Sequence, residues 1–163
     1  MHIIITSVFI WCLVLLVWLL PIKNIESKNM LTFFVLTPLL PFSYVVSKIV
    51  KSEFSSKDNP LNKLGLLFSM NQMLYILIHM WVYPTVPDKM LMVMAIIFGA
   101  HLMPFGWLYK SRAYSIMSVV SITALIIVVK FNSIVLSIVM IVFEIVFSIW
   151  LMFENSTSNS LKS

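Results

Sequence analysis

Glu144 is the single acidic residue inside any apolar stretch of this 163-residue chain, near the middle of the last stretch. A carboxylate so placed costs roughly 2.5–3.5 kcal/mol on membrane-insertion scales and needs a partner, water or a proton. His101 adds an imidazole at comparable depth in another stretch, and His79 adds a second one nearer a stretch end. Asn71 and Gln72 contribute amides that both donate and accept hydrogen bonds. Glu144, His101, Asn71, Gln72 and His79 are therefore the candidate ligand- or proton-binding residues. The plainer reading stands beside this one: Asn, Gln, Ser and His also hold helices together, at around 0.6–2 kcal/mol each.

Other chemistries find less support. Cys12 is the only cysteine, which excludes an internal disulfide and any cysteine-based metal site. The histidines sit at different depths with no His-x-x-x-His spacing, so no metal site is assigned. The methionines between Met70 and Met103 are scattered around their helices and read as apolar filler, not thioether ligands. No Ser–His pair has the spacing of a nucleophile and its base, so no catalytic residue is nominated and the sequence points away from an enzyme. It implies no cofactor.

These side chains must be positioned by six apolar runs: residues 3–20, 30–50, 64–83, 90–109, 113–129 and 133–153. Each is near the roughly 20 residues that a helix needs to cross about 30 Å of hydrocarbon. Hydrophobic residues make up 61% of the chain and charged residues 10%, the reverse of a soluble domain. The runs are continuous and lack period-two alternation, which favours helices over a β-barrel. The expected fold is all-α: one polytopic membrane bundle over residues 1–154, with a polar, frayed C-terminal tail over 155–163.

Orientation follows from the basic residues. Lys48, Lys51, Lys57, Lys63, Lys110, Arg112 and Lys162 fall on one side, and Lys23, Lys28, Lys89 and Lys130 on the other. The richer side is the cytoplasmic one, which places both termini inside. The excess of lysine over arginine suggests a bacterial chain and hence the bacterial cytoplasmic membrane. The first run lacks a basic leader and an A-x-A-like site, so it reads as an uncleaved span. The net charge of +5 is spread through the loops, which argues against nucleic-acid binding and leaves the lipid bilayer as the first partner.

Short connections make sequential helices antiparallel neighbours. Folding runs three and four about residue 86 brings Asn71 to the depth of His101, so that Asn71, Gln72, His101 and Glu144 share one layer. At 100° per residue, Ser133, Ser137, Glu144 and Ser148 lie within roughly 60° of one another on run six, a stripe directed into the bundle. Pro38, Pro41 and Pro104 interrupt runs two and four and should kink them. Ala95, Gly99 and Gly106 form a small-residue face on run four that admits a close helix neighbour, inside the bundle or across a homo-oligomer seam.

The segment Ala100-His101-Leu102-Met103-Pro104-Phe105-Gly106-Trp107-Leu108-Tyr109 carries a His-x-x-Pro-Phe-x-Trp-x-Tyr pattern. With Asn59-Pro60-Leu61, Leu64-Gly65, Asn71-Gln72 and Arg112-Ala113-Tyr114, it resembles a family of small bacterial integral membrane proteins of unknown function. The resemblance covers about the middle third of the chain and implies a multi-helix membrane fold, with no reaction or ligand attached. Two functions remain open. One is small-molecule or ion binding, or transport, through the mid-membrane polar layer. The other is a non-catalytic accessory or immunity-type partner of a larger membrane complex.

Overall fold

The computed structural model describes residues 2–36, 62–128 and 132–160, and all their regular structure is helical. The helices are α1 (His2–Leu19), α2 (Ile25–Leu36), α3 (Asn62–Thr85), α4 (Met90–Tyr109), α5 (Arg112–Val128) and α6 (Ser133–Ser160), with a 3₁₀ turn at Pro87–Lys89 before α4. Pro38, Pro41 and the Asp58-Asn59-Pro60 turn lie outside the described residues.

Polar residues at the ends define these helices. Asn24 Oδ1 accepts the Glu26 N–H at 2.8 Å, and Asn132 Oδ1 accepts the Val135 N–H at 3.0 Å, so α2 and α6 each begin with a side-chain cap. The Asn24 cap starts α2 at Ile25, five residues ahead of the apolar run expected at 30. At the far end of α4 the Lys110 N–H bonds to Trp107 O and the Ser111 N–H to Gly106 O. These paired bonds close a Schellman motif, which holds Lys110 in the left-handed region at φ 50°. α6 continues to Ser160, so the helix runs on into the polar tail.

Contacts at the two ends fix the helix directions. At one end the Lys28 ammonium donates to the Trp18 carbonyl at 3.1 Å, and Asn29 Nδ2 donates to Pro87 O at 2.7 Å. The loops after α1 and α3 therefore lie together. At the other end Glu154, on α6, meets Ser111 and Arg112 at the start of α5. Hence α1 and α6 run antiparallel and pack extensively on each other, closing the first helix onto the last. One core joins Trp11 and Val14 of α1, Leu91, Ala95 and Leu102 of α4, Ala113 and Met117 of α5, and Met140, Phe143 and Phe147 of α6. A smaller cluster sets Val82 of α3 against Met90 and Met94 of α4.

The α4–α5 contact is the most extensive in the bundle, and small residues make it so. A Cβ on Gly99 would sit 3.0 Å from Ser121 Cβ and overlap its hydroxyl; one on Gly106 would lie 2.9 Å from the Ser115 backbone nitrogen. The small-residue face of run four is thus an internal seam. The facing serines donate to their own helix: Ser115 to Ser111 O, Ser118 to Ser115 O and Ser121 to Ser118 O. With their polar atoms satisfied locally, they present little more than a small side chain to α4.

Of the six expected spans, two qualify among the described residues: Pro87–Tyr109 and Ser133–Glu154 are long and apolar enough to cross a membrane. The apolar helix Thr6–Leu19 and the 17-residue α5 are shorter, and α2 is described over 12 residues.

Candidate functional site

Glu144 lies on α6 with none of its surface exposed, in the seam against α1. The Ser7 hydroxyl of α1 faces its carboxyl group. Neither Glu144 oxygen and no atom of the Ser7 hydroxyl completes a hydrogen bond of ordinary geometry. Ser148, one turn along α6, and Trp11, one turn along α1, likewise bury a hydroxyl and an indole N–H without a partner. The only ion pair among the described residues is Lys89–Asp88, at the bundle surface, so no cation among them pairs with Glu144. Ser137, further along the same face, is buried and donates to Ser133 O at 2.8 Å. The serine–glutamate stripe therefore faces inward, and its Glu144 and Ser148 side chains are left unsatisfied.

The other nominated residues are not gathered around this carboxyl. Asn71 is exposed on α3 and donates to the Tyr75 hydroxyl of its own helix at 3.2 Å. His79 Nδ1 approaches the Tyr75 carbonyl at 2.8 Å, its ring 6.4 Å from Phe33 of α2, while its Nε2 is buried without a partner. His101 is half-buried, with its ring edge-on to Phe105 at 5.1 Å. Gln72 belongs to α3, and its side chain lies outside those described. No recorded contact joins Asn71, His79, His101 and Glu144. Nor do three His, Cys, Asp or Glu side chains converge among the described residues. A shared depth along four helices does not fix the direction in which each side chain points; here Asn71 and His101 point to i+4 neighbours on their own helices.

What the structure does assemble is an aromatic column. His101, Phe105 and Tyr109 follow one another up a single face of α4, with Phe105 and Tyr109 stacked at 5.7 Å. Phe68 of α3 joins Phe105 at 6.1 Å. Tyr109 leads on to Tyr114 of α5 at 5.7 Å, and Tyr114 sits edge-on to Phe147 of α6 at 4.8 Å. Tyr114 is also within electrostatic reach of Glu144. The rings of the His-x-x-Pro-Phe-x-Trp-x-Tyr segment thus connect α3, α4 and α5, and Tyr114 carries the column on to α6. Residues 1–154 match one family over nearly the whole chain. The chain belongs to the family of unknown function DUF7010. No curated protein and no solved structure matches it.

Three contributors were not nominated from sequence. Ser7 was hidden because α1 is apolar all round and shows no preferred face. Tyr114 and Phe147 read as ordinary span residues until the α5–α6 pairing brought them together.

Proposed function

We propose that this member of the family is a multi-pass integral membrane protein whose α1–α6 seam binds and releases a proton at Glu144. The observation that carries the reading is the enclosed Glu144 carboxyl, with Ser7 against it and no countercharge among the described residues. A structural carboxylate would be expected to have its oxygens paired, because leaving them unpaired in an apolar seam is costly. A proton neutralises the group without a cavity for a larger ligand, and the Ser7 hydroxyl retains the capacity to accept a hydrogen bond from the protonated carboxyl. The scattered placement of Asn71, His79 and His101 narrows the reading from a continuous polar layer to this single seam.

Membrane insertion is supported by the two long apolar helices and by the outer surface. Among the described residues more large apolar side chains are exposed than buried, including Leu67, Leu74, Leu77, Met80 and Trp81 on α3. A water-facing bundle would bury such a face. Retention in membranes through an alkaline carbonate wash tests insertion. Decay of an imposed pH gradient in proteoliposomes, with wild type against Glu144→Gln, tests the proton site.

The exposed face of α3 also suits the second reading, an accessory or immunity-type partner whose α3 docks on another membrane protein. Mild-detergent purification followed by mass spectrometry separates the two: a stoichiometric co-purifying protein favours this reading, and a lone chain with proton flux favours the first.

A further inference from the structure

The turn between α4 and α5 encloses a groove of about 650 Å³ that the Glu144 seam does not use. Its walls include the apolar faces of Trp107 and Ile116, and its rim carries Lys110, Ser111, Arg112 and Ser115. Trp107 is 70% exposed beside it, and Gly106 lies buried at its floor against Ser115. Lys110 and Arg112 are exposed, and neither ammonium nor guanidinium has an ion-pair partner among the described residues. The Glu154 carboxylate beside this turn is engaged by the Ser111 hydroxyl at 2.6 Å and the Arg112 backbone N–H at 2.8 Å. The rim is preformed, because the Schellman motif locks Lys110 in place and Ser111 accepts the Tyr114 N–H.

We propose that this groove binds an anionic phospholipid of the adjacent leaflet, its phosphate between Lys110 and Arg112 and its acyl chains along Trp107 and Ile116. The inference rests on the membrane reading above. Charge complementarity selects the headgroup: two unpaired cations on a single three-residue turn suit a phosphodiester, with ammonium and guanidinium donors available. The apolar walls select a lipid over a free anion, since a soluble phosphate gains nothing from Trp107 and Ile116. The position is also right for an amphipathic ligand, because exposed Trp107 and Tyr109 are the side chains expected where hydrocarbon meets water.

The test is native mass spectrometry of the full chain in mild detergent, titrated with phosphatidylglycerol or phosphatidylcholine. Wild type should retain phosphatidylglycerol in preference to phosphatidylcholine. Lys110→Gln with Arg112→Gln should weaken phosphatidylglycerol binding about 30-fold. Lys23→Gln with Lys89→Gln, which removes equal charge at the opposite end, should leave it unchanged. Equal retention of both lipids by wild type, equal loss in both double variants, or displacement by equimolar glycerol 3-phosphate would each overturn the proposal. Release of wild type from membranes by carbonate would instead overturn the membrane reading, which keeps the two failures apart.

Discussion

Gly99 of α4 and Ser121 of α5 are so closely opposed that a Cβ on the glycine would lie 3.0 Å from the Ser121 Cβ and overlap its hydroxyl. The spacing of two helices is therefore set by one missing side chain. Gly99→Ala should destabilise the bundle by about 1–3 kcal/mol, as overpacked cores do. Ser121→Gly in the same chain should recover much of that loss, and the two single effects should fail to add. Thermal unfolding in detergent reads both. A Gly99→Ala protein as stable as wild type would mean that α4 and α5 separate freely.

Glu154 caps a helix to which it does not belong. Its carboxylate accepts both the Ser111 hydroxyl and the Arg112 N–H at the start of α5. Anions are favoured at helix N-termini, so Glu154→Ala should cost about 1 kcal/mol and Glu154→Gln less. Amide exchange in the first turn of α5 should accelerate, with α4 unaffected; unchanged protection would remove the cap from the account.

Asn29 is buried, and its 2.7 Å bond to Pro87 O ties α2 to the turn before α4. Pro87 O also accepts the Met90 N–H, so Asn29→Ala removes one of its two donors and should cost about 0.5–1.5 kcal/mol. Faster exchange confined to residues 85–90 is the expected signature, and a uniform change along the chain would contradict it.

Phe105 is the hub of the aromatic column, touching Phe68, His101, Tyr109 and Tyr114. Phe105→Ala should cost about 3 kcal/mol in melting experiments, and Phe105→Leu about half as much, since much of the buried volume is kept. Equal effects of the two variants would show that the retained volume contributes nothing and that the loss belongs to the ring contacts.

The helices themselves were largely readable. α4 matches the apolar run 90–109 at both ends, because Lys89 and Lys110 flank it. α5 and the start of α6 fall within a residue of expectation. Polar starts were harder: Ile25, Glu26 and Lys28 look like loop until Asn24 is recognised as a cap. The closure of α1 onto α6 could not be read at all. Chain connectivity pairs neighbours in sequence, and a helix apolar on every side gives no sign of which face meets a distant partner. That pairing put Ser7 beside Glu144 and left Asn71, His79 and His101 on their own helices.

The proposed proton site at Glu144 is tested most directly by the decay of a pH gradient across proteoliposomes containing purified protein. Wild type should dissipate the gradient well above the rate of empty liposomes. Glu144→Gln, which keeps the shape and removes the exchangeable carboxyl proton, should fall to the empty-liposome rate, and Glu144→Asp should retain part of the flux. Equal flux through wild type and Glu144→Gln, with both proteins folded and inserted, would contradict the account.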